Sequence, residues 1–516
     1  MDAHTRAVRT IESKIQKFHD LQQHFRNYHG STNSTRPSQR DPDKSVDTSG
    51  LRNILSINKQ DKTAVVEPNV PMDALLFATL QHDLLPLVVM EFPGITVGGG
   101  FSGTSGESSS FRYGFFDSTV NWIEIVTAKG DVVKASREEH PDLFWGAASS
   151  FGTLGVITLL EIRLQEARKF VELKLTRFEV MDRAMEEMTR ETKNPEVDYL
   201  DGIVYAHDEI VVCSGKLTNE VPAGAVITQY TRRSDPWFYI HVQRATAKTS
   251  STQPTTLYIP IADYLFRYDR GAFWVGKYAY QYFLTPFNRI TRFLLDYFMH
   301  TRVMYHALHA SGQSKIYIIQ DVAIPYTGAT DFLNWLETNL PIYPLWLCPL
   351  RQRRDAPNSQ HGLYGYLGSP DTPEFMMNFG VWGPGSSNKW KFLRQNRELE
   401  QKVEALGGRK WLYAHAYYTE EEFWGIYDKG KYDALRERYG AGYLPTVYDK
   451  VKVDLDVDAA RAESWVKWLV VLFWSIWPFS GLYGVFMAFW GGEYLLANAA
   501  VPEKGKVEEA KGAKGD

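Results

Sequence analysis

At 516 residues the chain is too long for one ordinary domain and long enough to bury more than one core. Its 57 basic and 61 acidic residues give a formal charge of −4, which excludes the basic footprint of a nucleic-acid binder. Cys213 and Cys348 are the only cysteines, so neither a disulfide framework nor a Cys/His zinc site is expected, and a reducing compartment fits best.

Residues 1 to 30 are charged and polar throughout and carry no secretory signal. Val8, Ile11, Ile15, Phe18, Leu21 and Phe25 recur at helical spacing and predict an amphipathic helix that packs on a core. YHGSTNSTR at 28 to 36 follows as a polar loop, with His29, Gly30, Ser31, Thr32 and Asn33 as candidate ligand contacts. The sequon Asn33-Ser34-Thr35 lies in this loop and is read as coincidence.

The densest signal is ITVGGGFSGTSGESSSFRYGFF at 95 to 116, taken with FGTLGVIT at 151 to 158. Glycine has no Cβ to hold a ligand away, so such a backbone brings its amides close to an anion, as for a diphosphate or a flavin. The plainer reading is a tight turn between strands. Gly98, Gly103, Gly152 and Gly155 are the expected backbone approaches, and the principal loop is Thr104, Ser105, Gly106, Glu107, Ser108, Ser109, Ser110, Phe111, Arg112, Tyr113, Gly114, Phe115 and Phe116. Glu107 has two readings, a hydrogen bond to ribityl or ribose hydroxyls or a carboxylate that fixes its own loop. TVNWIEIVTAKGDVVKAS at 119 to 136 predicts a hairpin turning at Lys129-Gly130, and 156 to 164 a strand that closes the first domain.

After residue 165 the pattern changes. A strand at 316 to 325, a helix at 330 to 340, strands in YPLWLCPL and FMMNFGVWG, a helix at 390 to 408 and a final strand at 410 to 418 give β-α-β-β-α-β, the ferredoxin-like order. No internal repeat is evident. Trp468 to Trp490 is a 23-residue run without charge and with Trp at both ends, which predicts a membrane segment; Pro478 and Gly481 allow a kink or a re-entrant turn. The division is therefore 1 to 165, 166 to 455 with its end able to return to the first domain, and 456 to 516 with the apolar segment and a charged tail.

The order of loops and strands resembles the FAD-binding domain of vanillyl-alcohol-oxidase-like flavoproteins. TVGG at 96 to 99, ESSS at 107 to 110, DLFW at 142 to 145, GTLG at 152 to 155, QDVAIP at 320 to 325, YPLWLCP at 343 to 349 and PTVYDK at 445 to 450 resemble the Δ24-sterol reductases over roughly residues 5 to 455. The resemblance implies an α+β architecture: a two-subdomain, PCMH-type FAD-binding domain, a ferredoxin-like substrate cap and, here, a C-terminal membrane segment. It implies noncovalent FAD, NADPH as reductant and a sterol or related triterpenoid as substrate, at the endoplasmic reticulum membrane with a cytosolic catalytic domain in contact with lipid. Three departures stand out: Ser105-Gly106 replace the Gly-Ile of the animal enzyme, His415 replaces an Asp, and the apolar segment is C-terminal where better-known members carry it at the N-terminus.

Saturating an isolated alkene needs a hydride and a proton. Tyr113 is the first candidate proton donor and Tyr417 the second, with His415 and Glu422 weaker; Thr419 to Glu422 also reads as a helix capping box. No second GxGxxG follows a predicted strand, so NADPH is expected to enter by the flavin cleft. Two other functions fit the same residues, a flavin oxidase acting on an alcohol or sugar with oxygen, and a membrane-tethered flavin-binding protein without reductase activity.

Overall fold

In a computed structural model of the chain, the described residues are 3–30, 41–249, 253–312, 316–352, 373–453 and 477–490. The first helix, Ala3–Asp20, buries Val8, Ile11, Ile15 and Phe18, the i, i+3/i+4 stripe expected of it. It stops short of its predicted length: Gln22 takes a left-handed φ of 49°, which leaves Leu21 exposed while Phe25 re-enters the core beyond the turn. His4 fixes the start of this helix to the sheet, with Nδ1 2.8 Å from Glu67 and Nε2 3.2 Å from Glu124.

The N-terminal domain carries strands β1 (Arg26–Tyr28) and β2 (Ser45–Asp47), paired in parallel. Next come β3 (Ile54–Asn58), β4 (Thr63–Val66), β5 (Leu84–Pro86), β6 (Val120–Thr127), β7 (Val132–Ser136) and β8 (Gly155–Glu166), in the order β3-β4-β8-β6-β7 with β5 on the end of β8. The expected hairpin is β6–β7, paired from Trp122↔Ser136 to Val126↔Val132, with Gly130 at φ +93° in its turn.

The cap is one eight-stranded sheet. Its strands are β9 (Phe170–Phe178), β10 (Tyr199–Ala206), β11 (Glu209–Thr218), β12 (Thr255–Pro260), β13 (Tyr317–Pro325), β14 (Leu345–Arg351), β15 (Phe375–Pro384) and β16 (Arg409–Lys410). The order β12-β9-β11-β10-β14-β15-β13-β16 contains the predicted β-α-β-β-α-β unit as β13 to β16, with helices Ala329–Asn339 and Lys389–Ala405. Against the expectation of no repeat, β9 to β12 has the same strand order in mirror sequence, and the halves join where β10 pairs antiparallel with β14. The repeat is topological, since a shared strand order imposes no shared sequence, and residues 261–310 lie between the halves. It is also imperfect: Met181–Thr192 packs on the outer core with Ala329–Asn339 and Lys389–Ala405, whereas Phe238 and Val242 of Phe238–Thr246 join the inner core facing the N-terminal domain.

The predicted final strand at 410 to 418 is only the two-residue β16. Lys410, fully buried, pairs with Glu400 at 2.6 Å and donates to the carbonyl of His415, so the chain turns back on itself. The turn directs Trp411 and Tyr413 inward instead of along a sheet edge. Residues 420 to 453 then lie on the N-terminal domain: the Tyr432 hydroxyl meets Thr153 at 2.8 Å, Tyr443 donates to Ala128 O, and Lys450 donates to Phe151 O.

The reading of 468 to 490 as one membrane span is not supported. Residues 468–476 lie outside the described residues, and among the described residues no helix is long and apolar enough to cross a membrane. What is described is a 12-residue helix, Phe479–Trp490, lying against helix Thr301–Ala310. Its small residues Ser480, Gly481, Gly484 and Ala488 are buried: a Cβ on Gly484 would stand 2.4 Å from the carbonyl of Ala307, and one on Gly481 would meet Tyr282 at 2.3 Å. Trp477 Nε1 donates to Tyr282 O at 2.7 Å, which ties the start of the helix to the same insertion.

Candidate active site

A cavity of about 940 Å³ lies between the N-terminal domain and the inner face of the cap, at the upper end of the range for small-molecule sites. One section is a polar, glycine-rich cradle and the other is aromatic, and both border the same space.

Of the residues predicted for the cofactor, His29, Gly98, Gly103, Ser105, Gly106, Gly152 and Gly155 line the cavity. Ser31, Thr32 and Asn33 lie outside the described residues. Gly30, Thr104, Ser108, Ser109, Ser110, Phe111, Arg112, Gly114, Phe115 and Phe116 are not among the lining residues. They build the loop from behind. Glu107 is buried and takes hydrogen bonds from the Ser108 hydroxyl at 2.7 Å, the Ser109 amide at 3.0 Å and the Ser109 hydroxyl, while its own amide donates to Ser110 Oγ at 2.9 Å. Its carboxylate is thus spent on fixing the loop. Thr104 holds a φ of 48° and its carbonyl accepts from Trp411 Nε1 at 2.9 Å, linking loop to cap.

The cradle suits a flavin nucleotide. Ser149 and Phe151 hold positive φ beside Gly152, and at these two non-glycine positions the backbone is strained in the way retained at ligand clamps. Asn27 Oδ1 is buried with no partner among the described residues, an open acceptor beside this loop. Burial, with Lys450 nearby, lowers the pKa of His29 and favours its neutral ring. Sequence reasoning missed Arg26, Asn27, Thr48, Asn69 and Lys450, which line the cradle from segments without a glycine signature. Gly155 also lets the loop lie on β6, because a Cβ there would meet Val126 O at 2.3 Å.

The aromatic section contains Phe92, Tyr305, Trp346, Trp382, Trp411 and Tyr413. The Trp346 and Trp382 indole walls are held by hydrogen bonds to carboxylates. Asp201, paired with buried Arg267 at 2.7 Å, also accepts from Trp346 Nε1 at 3.1 Å. Asp321 accepts from Asn378 at 2.8 Å, Trp382 Nε1 at 3.1 Å and the Tyr413 hydroxyl. Burial raises the pKa of Asp321, and those three donors oppose the rise.

Neither predicted proton donor borders this space. Tyr113 donates to Gln165 Oε1 at 2.9 Å, and burial raises its pKa. Tyr417 packs against the outer core near Phe392, with ring centroids 6.2 Å apart. His415 offers its carbonyl to Lys410 and Gln320. Glu422 completes the predicted capping box with Thr419 and pairs with Arg397 at 2.8 Å. The acids that line the cavity are Asp41, which is exposed and accepts from the Asp43 amide at 3.1 Å, and the buried Glu91 and Asp321, none of which sequence patterning singled out.

Residues 11–136 match the FAD binding domain family. Delta(24)-sterol reductase of Mus musculus is 30% identical over 412 residues, covering 78% of this chain and 76% of the relative. The chain belongs to the Δ24-sterol reductase family. The Arabidopsis thaliana Δ24-sterol reductase is 29% identical over 450 residues, covering 79% of this chain and 76% of the relative. Cytokinin dehydrogenase 4 of Oryza sativa subsp. japonica is 35% identical over only 133 residues, 25% of each chain. Likeness to the Δ24-sterol reductases thus covers far more of the chain than an FAD binding domain, whereas the stretch shared with the cytokinin dehydrogenase is about the length of one.

Proposed function

We propose that this chain is an oxidoreductase that uses noncovalent FAD to saturate the Δ24 side-chain double bond of a sterol or related triterpenoid, with NADPH as reductant. The observation that carries this reading is a cavity bordered both by a glycine-rich cradle and by an aromatic chamber. FAD, when bound, supplies two-electron hydride chemistry. His29, Asn27, Asn69, Thr48 and the glycines of 98–106 and 152–155 are the residues that would hold it.

The remaining work falls to the chain. Trp346, Trp382 and Trp411 offer flat apolar walls to a hydrocarbon side chain and exclude water from the reacting carbons. Asp201, Asp321 and the Thr104 carbonyl fix the three indole N–H groups, so the walls are set before substrate arrives. A nicotinamide would use the same cavity in turn, giving alternating half-reactions.

Membrane attachment is part of the proposal. Leu482, Phe486, Phe489 and Trp490 on the C-terminal helix are exposed, and so are Leu284, Ile290, Phe293 and Leu294 of the neighbouring insertion. Isolated exposed apolar residues need no explanation, but a cluster of this kind fits shallow insertion into a lipid surface. Helix Thr301–Ala310 contacts the C-terminal helix and contributes Thr301, Arg302 and Tyr305 to the cavity, which supports delivery of a sterol from lipid. An endoplasmic reticulum location with the catalytic fold in the cytosol is the placement we propose. Sterol profiling of cells that express the chain and are supplied with a Δ24 sterol tests the activity: accumulation of the saturated sterol supports it, and hydrogen peroxide production from an alcohol without sterol turnover refutes it.

A further inference from the structure

Glu91 lies in the segment between β5 and helix Val97–Ser102, where the glycine cradle meets the aromatic chamber. The next residue, Phe92, is part of that chamber, with its ring 5.9 Å from Tyr305 and 6.0 Å from Trp382. Glu91 borders the cavity, and its Oε2 is buried with no hydrogen-bond partner among the described residues. A buried carboxylate oxygen left without a donor is costly, whereas the protonated acid carries its own donor and can offer it to a ligand.

We propose that Glu91 is the catalytic acid that protonates the substrate alkene. The assignment rests on the reductase reading above. Each other acid in reach is otherwise engaged. Glu107 is occupied by its own serines, and Asp321 receives three donors and so is matched to a carboxylate. The Tyr413 hydroxyl donates to Asp321. Tyr305 has an unpartnered hydroxyl, but burial raises its pKa well above the ordinary phenol value, making it a poor acid.

The charged and titratable groups whose fields reach Glu91 are Asp321, Glu107, Arg267, Tyr305, Tyr413 and Cys348. Burial comes first and, with Asp321 and Glu107 adding to it against Arg267 and the residue's own backbone amide, pushes the Glu91 pKa up to about 8. The acid form is therefore present at neutral pH. Burial raises the pKa of Asp321 as well, and what separates the two is geometry: Asp321 receives three donors, whereas Glu91 Oε2 has none among the described residues.

In the reaction, the alkene π pair forms a C–H bond with the Glu91 proton at the less substituted carbon, which leaves positive charge on the more substituted carbon. That carbon would be quenched by a hydride with its two electrons, the chemistry that reduced FAD would supply when held in the cradle, so one proton and one hydride in all reach the alkene. The Glu91 carboxylate regains its proton from solvent before the next turnover.

Glu91→Gln keeps the shape and removes the acid. The variant is expected to retain FAD and to be bleached by NADPH at the wild-type rate, while Δ24 sterol re-oxidises its flavin about 100-fold more slowly or worse. Wild-type re-oxidation by sterol should fall as pH rises through about 8, and this fall should be absent from the variant. Infrared difference spectra of the protein without substrate give an independent readout: a protonated-carboxyl band lost on raising pH through about 8 in wild type and missing in the variant. Re-oxidation of the variant at the wild-type rate, or an identical infrared titration in both proteins, overturns the assignment. Wild-type flavin that NADPH bleaches but sterol cannot re-oxidise overturns the reductase reading, and Glu91's role with it.

Discussion

At the scale of the residue, the site depends on positions where one atom more would not fit. A Cβ at Gly155 would lie 2.3 Å from Val126 O and 3.0 Å from the Cα of Thr127, both backbone atoms that cannot step aside. Gly155→Val is therefore expected to displace the loop, cost about 1–3 kcal/mol in stability and lower flavin content, read from absorbance of the purified protein. Full flavin content in that variant would remove the loop from the cofactor site. His4 gives a pH-dependent prediction. Its hydrogen bonds to Glu124 and then Glu67 raise its pKa to about 9, against an ordinary value of 6.5. A raised folded-state pKa means the stabilisation is full below about 6.5 and is lost as pH rises through about 9. His4→Gln should thus destabilise by about 2 kcal/mol near neutrality and by little above that upper value, measured by denaturant midpoints. The glycine cradle was legible in the sequence because a run of glycine and serine has a local physical cause. Glu91, Asp321 and the indoles were not, since a single acid or Trp carries no pattern until the fold brings it to the cavity.

At the scale of the element, the segment after Lys410 decides whether the chamber is walled. The pair Lys410–Glu400 is buried at both ends, and removing one partner leaves the other charge stranded. Lys410→Met is expected to cost about 3–5 kcal/mol and, by releasing the turn that directs Trp411 and Tyr413 inward, to slow sterol re-oxidation more than NADPH bleaching. The sequence suggested a strand here because KWLYAHAYY has the right residues for one. A buried lysine that recruits its own downstream carbonyl overrides that propensity. The C-terminal helix is a similar case: hydropathy and length suggested a span, while small residues at 480, 481, 484 and 488 give the helix a face for packing on protein. Deleting residues 465–516 should leave a flavin-binding protein that no longer sediments with membranes. If the truncated chain aggregates without flavin, the helix belongs to the fold's core.

At the scale of the whole molecule, the two cap halves make one continuous sheet whose inner face, with the insertion at 261–310, closes over the cofactor cradle. The β-α-β-β-α-β half was readable because its helix and strand periods alternate cleanly. Its counterpart was not, because a shared strand order imposes no shared sequence and one of its helices crosses to the opposite face. Polar cradle and apolar chamber border one cavity, so in the proposed reading reductant and alkene would use the same flavin in turn. Anaerobic spectroscopy of the purified protein tests this most directly. NADPH should bleach the bound flavin, and a Δ24 sterol added afterwards should restore the yellow colour while its side-chain double bond is saturated. Flavin that stays bleached with sterol but is restored at once by oxygen would contradict the account.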